Sequence, residues 1–267
     1  MSVAPSVAVP QVHASRLARP AAHRGLALLF AVILVTGVSA FVLSFVSFVK
    51  PVGKGGGLPD YAAIAPLRGY VWAFLVVAAV QMIVGACAAA LAAWLLAPGR
   101  GARWATVGGS LVWLGAAVYG VGVGGWAAVY FYGSDPAALD PATAGRLIDH
   151  ANDDTARMLA VPIGGALLVA LGSLLLAVAL WRAATVPRWL PALGALGAVA
   201  TIVVPPDTAA GLVGEAVSSV TTIAIGYYAW RRYPVTAELA RTPGTTAISG
   251  SPTAVGATAA GRAARAR

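Results

Sequence analysis

Charge is what this sequence has least of. Of its 267 residues, 10% are Asp, Glu, Lys or Arg, 59% are hydrophobic, and mean hydropathy is +0.81. A soluble domain of this length carries about a quarter charged residues, so a water-solvated globule is excluded. Cysteine is limited to Cys87, which rules out an intrachain disulfide and a cysteine-based metal cluster. The histidines, His13, His23 and His150, all lie outside the apolar runs, so paired-histidine haem ligation inside a bilayer is excluded. The two lysines, Lys50 and Lys54, fall in one short loop outside the apolar runs, which disfavours a Ser-Lys dyad inside the bilayer. No His-Glu-x-x-His, no phosphate-binding glycine loop ending in Lys-Ser/Thr and no Gly-x-Ser-x-Gly occurs. No cofactor and no metal is expected, and the chain reads as non-enzymatic rather than catalytic.

What is present is a series of apolar runs too long for a globular core. Runs of eighteen or more residues are long enough to cross a bilayer. The expected spans are about 25–49, 70–97, 104–132, 157–181, 189–206 and 209–230. The fold class is therefore all-α, a polytopic bundle of six transmembrane helices over residues 25–230. The fifth span is the weakest, being short and containing Pro191. Residues 1–24, interrupted by Pro5, Pro10 and Pro20, are expected to be a disordered cytoplasmic segment, and residues 231–267 a disordered tail. Val38-Ser39-Ala40 resembles a signal-peptidase site. The apolar run continues through Phe41 to Val49 without a polar break, so an uncleaved first span is the reading adopted.

Orientation follows from the arginines. With six spans and both termini inside, thirteen of the eighteen basic residues are cytoplasmic: Arg16, Arg19, Arg24, Arg100, Arg103, Arg182, Arg188, Arg231, Arg232, Arg241, Arg262, Arg265 and Arg267. Lys50, Lys54, Arg68, Arg146 and Arg157 are left outside. This is the positive-inside asymmetry, and it explains a net charge of +9 without nucleic acid, for which no motif is present. The expected partners are the lipid bilayer and, at Arg231, Arg232 and the Arg-ended tail, anionic lipid of the cytoplasmic face. Heavy Ala, Gly and Val usage with Arg in place of Lys suggests a bacterium with a GC-rich genome, so the expected location is a bacterial cell membrane.

Several features could carry chemistry. Glu215 lies about two turns inside the sixth span, where a carboxylate is costly and is by default a candidate functional group. Gln81 heads a small-residue stripe with Gly85, Ala89 and Ala93, and the sixth span has a matching stripe of Gly214, Ser218, Thr222 and Gly226. Such stripes let helices approach closely, so Gln81 and Glu215, similar in depth, form a candidate intramembrane polar site. Ordinary helix packing is the favoured reading of the stripes. In the third span, Gly115, Gly120, Gly122, Gly124 and Gly125 admit a broken, site-forming helix or close packing through Gly120-x-x-x-Gly124. Packing is the favoured reading. Asp149-His150-Ala151-Asn152-Asp153-Asp154 lacks the oxygen spacing and glycine of a calcium loop. It reads as a solvated loop or as acidic helix caps. A faint repeat relates Gly85, Trp94 and Arg103-Trp104 to Gly172, Trp181 and Arg188-Trp189, as expected of interface residues alone.

The six-span plan, the arginine-led first span and the Val186-Pro187-Arg188-Trp189-Leu190 approach to the fifth span resemble small six-helix integral membrane proteins of actinobacteria that carry a domain-of-unknown-function label. The resemblance covers roughly residues 20 to 232. It implies the topology and supplies no activity and no site residues. The functional expectation is a multi-pass structural or accessory subunit. The alternative is a small proton- or cation-linked transporter using Glu215.

Overall fold

The computed structural model describes the backbone of residues 12–49, 58–204 and 208–241, and the side chains of 23–49, 58–200, 202–204 and 208–232. All regular structure among the described residues is helical. Its elements are α1 (Val12–Val49), α2 (Tyr61–Ile64), α3 (Arg68–Leu96), α4 (Ala102–Gly133), α5 (Pro141–Asp153), α6 (Thr155–Ala183), α7 (Trp189–Val203) and α8 (Ala209–Arg241), with single 3-10 turns before α3 and α4. The chain divides into two units, Met1–Tyr233 and Pro234–Arg267.

Five stretches are long and apolar enough to cross a membrane: His23–Val49, Tyr61–Leu96, Gly99–Gly133, Thr155–Ala183 and Ala209–Arg232. The fifth expected span is shorter than read. α7 has 15 residues, about 22 Å at 1.5 Å per residue, against a hydrocarbon thickness of about 30 Å. Its end at Val203 is followed by extended backbone at Val204, ahead of the Pro205-Pro206 pair that no helix continues through.

Two boundaries differ from expectation in the other direction. α1 opens at Val12 rather than Gly25 and runs through Pro20. α8 continues past Trp230 and through Pro234 to Arg241. Both extensions are rich in Ala and Arg, which favour helix. The anionic-lipid contacts expected of Arg262, Arg265 and Arg267 lie outside the described residues.

The centre of the bundle is the α4–α6 pair, and glycine makes it. Gly101, Gly108, Gly115 and Gly122 recur every seven residues along one face of α4 and its leading turn, facing Ala179, Gly172, Gly165 and Pro162 of antiparallel α6. A Cβ at Gly108 would lie 2.8 Å from the Gly172 carbonyl oxygen, and one at Gly115 2.7 Å from that of Gly165. No side chain fits between the backbones there. The strict seven-residue period is the repeat of a left-handed supercoil. α4 is continuous, so its glycines serve packing and break no helix. The expected Gly120-x-x-x-Gly124 contact is corrected in detail. Gly120 faces the Ile83 side chain of α3, while Gly124 and Gly125 have nothing within 4 Å.

Around this pair the inner half of the core is filled by small side chains, including Ala88, Ala92 and Ala93 of α3, Ala105 of α4 and Ala179 of α6, closed by Ile33, Leu96, Leu180 and Leu190. Dispersion and close fit, rather than hydrophobicity, hold helices together in lipid, and alanine and glycine maximise that fit. The α3–α4 and α6–α7 turns share a device. Gly99 (φ +62°) and Ala184 (φ +52°) are both left-handed, each five residues before the tryptophan, Trp104 or Trp189, that opens or follows the next helix start. The repeat does not extend to packing, since Gly85 faces the Thr36 side chain of α1 and Gly172 the backbone of α4.

Candidate functional site

Glu215 lies four residues before Ser219 on α8, and the Ser219 hydroxyl donates to its Oε1 at 3.3 Å. Ser219 is buried, as is Thr221. Gln81 sits on α3 in a groove against α1, lined also by Val35, Thr36, Ser39, Val77, Val80 and Val84. Thr36 is turned away from it, donating to the Val32 carbonyl of its own helix at 2.8 Å. Gln81 has no hydrogen-bond partner among the described residues.

The two stripes are seated on different neighbours. Gly85 of the α3 stripe faces Thr36 of α1, whereas Gly214 and Ser218 of α8 face Ala200 and Gly197 of α7, and Gly226 faces Ile33 of α1. α1 thus contacts both helices, with Gly37 against Ile223 and the Ser219 carbonyl. Counting outward from these contacts, Gln81 lies about 6 Å above the Thr36 level and Glu215 about 10 Å above it. Among the described residues no hydrogen bond joins the two side chains. The arrangement places one carboxyl with one hydroxyl on α8, and one amide in a separate apolar groove.

At the end of the bundle opposite the α3–α4 and α6–α7 turns, the connecting segments fold into a cap, whose contacts, though not its helix from Pro141, are hidden from the sequence. Tyr130, buried at the C-terminal end of α4, donates its hydroxyl to Asn152 Oδ1 of α5 at 2.9 Å. The Asn152 amide nitrogen in turn donates to the Pro59 carbonyl at 3.1 Å. Ile64, Val71, Tyr130 and Ile148 form a small apolar cluster beneath. Asp140 caps α5 by accepting from the backbone N–H groups of Ala142 and Thr143. Arg68 pairs with Asp135 at 2.6 Å, and its guanidinium lies 5.3 Å from the Phe131 ring centroid. The Ala137 N–H and the Arg68 guanidinium hold the Asp135 carboxyl below its ordinary value. The segment Asp149–Asp153 is helical rather than a loop. Asp149, His150 and Asp153 are exposed on it, and among the described residues no His, Cys, Asp and Glu group could hold a metal ion.

The end of the bundle that carries the α3–α4 and α6–α7 turns is rimmed by arginines laid on aromatic rings: Arg182 over Trp104 at 5.7 Å, Arg188 over Trp181 at 5.8 Å, Arg231 over Trp230 at 5.4 Å and Arg232 over Tyr228 at 5.1 Å. Arg232 also donates to the Thr185 carbonyl at 3.0 Å, and the Thr185 hydroxyl donates to the Leu96 carbonyl. Three chain segments meet at that point, the end of α3, the α6–α7 turn and α8.

A family model described as a domain of unknown function (DUF4386) matches residues 25–231. The chain belongs to this family. The DUF4386 match begins where α1 becomes continuously apolar and ends at the arginines that close the apolar part of α8, so it takes in the apolar helices described above. The cap and the α4–α6 seam both lie inside it. No curated protein and no solved structure matches the chain.

Proposed function

We propose that this DUF4386 protein is a six-span protein of an actinobacterial cell membrane, with both ends in the cytoplasm, that works as a structural or accessory subunit rather than as an enzyme. The observation that carries this reading is the α4–α6 seam. Backbones packed against one another over four glycine positions make a stiff centre, suited to holding a shape for a partner and poorly suited to rocking open around a substrate. The arginine–aromatic rim supports the accompanying proposal that anionic lipid binds the cytoplasmic face, since each basic residue at such a surface contributes about 1 kcal/mol.

The test is thermal stability of the detergent-purified protein across a metabolite library and across lipid mixtures. A subunit of this kind is stabilised by anionic lipid and by no metabolite. Selective stabilisation by one metabolite class would overturn the subunit reading. A second reading, a small proton- or cation-linked transporter, is favoured by one feature, the Glu215–Ser219 pair within a span. It predicts stabilisation by the transported species and loss of that effect in Glu215→Gln.

A further inference from the structure

We infer that the groove between α1 and α3 is the contact surface of a parallel, two-fold homodimer in which Gln81 of one copy bonds Gln81 of the other. The groove is open, holds about 280 Å³ and is walled by five valines together with Thr36 and Ser39. It opens to the membrane. Val77, Val80 and Val84 remain 45%, 53% and 42% exposed, and Val35 67%. In its midst is an amide with two donor hydrogens and an acceptor oxygen, none of them used among the described residues.

Hydrocarbon cannot satisfy that amide, and a buried or lipid-facing polar group without a partner costs free energy comparable to a lost hydrogen bond or more. An acyl chain lying in the groove would fill the space and leave the amide unmet. A lipid headgroup does not reach it, because Gln81 is eleven residues inside α3 from Tyr70, about 16 Å. A second copy meets the need directly. Copies in one membrane share orientation, so α3 of one faces α3 of the other at the same depth. A two-fold axis sets each residue against itself or its symmetry mate. Most polar side chains are poor self-partners, since two carboxylates or two ammonium groups repel. A carboxamide is self-complementary, each group donating through nitrogen and accepting through oxygen.

The surface around Gln81 suits the approach. The exposed positions Ala73, Val77, Val80, Val84, Leu91 and Trp94 of α3 follow three-four spacing, the seam of helices crossing at about +20°. Short valine side chains keep the helices close enough for a glutamine to reach across. The opposite side of α3 is already committed to the core through Ala79, Ala90 and Ala93.

The test is oxidative cross-linking in membranes of the full chain carrying Cys87→Ala. Single cysteines are introduced at Val77, Val80 or Val84. Controls are placed at Val121 of α4 and Val220 of α8, which are 74% and 67% exposed. The expected result is a covalent dimer of this chain from the α3 positions, well ahead of the controls. In liposomes, Gln81→Leu should then weaken self-association roughly eightfold, the loss of two interhelical bonds of average strength, without lowering the thermal midpoint of the monomer. Equal cross-linking at all exposed positions would overturn the dimer. So would a monomer that persists at every dilution, or α3 cysteines captured by a chain of different mass. If Gln81→Leu fails to fold, the cysteine pattern still decides.

Discussion

At the scale of single residues, glycine and glutamate divide the roles. Gly115 and Gly124 share one helix, yet their surroundings are opposite. A Cβ at Gly115 would press on the backbone of α6, and one at Gly124 would meet nothing within 4 Å. Gly115→Ala should therefore destabilise by about 1–3 kcal/mol through overpacking. Gly124→Ala should be neutral or stabilise by about 0.5–1 kcal/mol through helix propensity. Thermal unfolding in detergent reads both, and equal effects would refute the seam. Ala184→Gly should raise stability by about 1 kcal/mol, because glycine adopts the left-handed region without the Cβ penalty. Glu215 is tested by a pair of substitutions. Glu215→Gln preserves the hydrogen-bonding shape and cannot ionise, whereas Glu215→Leu removes both. If the Glu215–Ser219 contact is structural, Gln matches wild type and Leu falls by about 1 kcal/mol, the net worth of a typical intramolecular hydrogen bond. If the carboxyl carries protons or cations, Gln folds normally and loses the cellular phenotype. An indistinguishable Leu variant ends both readings. Of this scale the sequence was partly legible. Glu215 stands out in an apolar run on composition alone. The seam does not, because five glycines between Gly115 and Gly125 draw the eye to four-residue spacing, while the positions in contact are seven apart. A seven-residue register between 101, 108, 115 and 122 on one side and 165, 172 and 179 on the other was the available signal.

At the scale of elements, the outer cap is the feature that composition hid. Asp135-Pro136 and Asp140-Pro141 announce turns, and Asp140 does begin a helix. Nothing local reveals that Ile148 would be buried or that Asn152 would bridge Tyr130 and Pro59, since those contacts join residues 22 and 93 positions apart. The latch carries a pH prediction. Asp135 has its carboxyl lowered, first by the Ala137 N–H and then by Arg68. A lowered folded value means the contribution is present above the unfolded carboxyl value, about 3.9, and is lost as pH falls through the folded one. The cap should therefore be insensitive to pH from neutrality down to about 4 and loosen only in stronger acid. Hydrogen exchange of α5 amides against pH measures this. Loosening near pH 6 would contradict it. Asn152→Ala should raise α5 exchange at neutral pH while leaving α4 and α6 protected.

At the scale of the whole molecule, the remaining question is which side each turn faces, and the structure changes how it is best asked. The arginine count favours thirteen cytoplasmic basic residues over five external ones. Two of those five are paired with acids, Arg68 with Asp135 and Arg157 with Asp154, but orientation follows the basic residues and not the net charge, so the count stands as it is. Cysteine accessibility in intact cells tests the resulting topology, in a Cys87→Ala background. Gly101 is unsuited as the inner probe, because a Cβ there would sit 2.5 Å from the Ala179 carbonyl oxygen and prise the central pair apart. Pro98, exposed in the same turn, reports the same side without that cost. Asp140 is unsuited as the outer probe, because its side chain caps α5 and losing a cap costs about 1 kcal/mol. Ala138, exposed two residues earlier, replaces it. A third cysteine at Gly250 interrogates α7, whose 15 residues leave its crossing the least secure by length. With six spans, Ala138→Cys is labelled from outside, while Pro98→Cys and Gly250→Cys react only after permeabilisation. If α7 fails to cross, the last helix inverts the tail and Gly250→Cys is labelled from outside while the other two are unchanged. Labelling of Pro98→Cys with protection of Ala138→Cys would invert the whole bundle and place the arginine–aromatic rim on the external leaflet, where no excess of basic residues is expected.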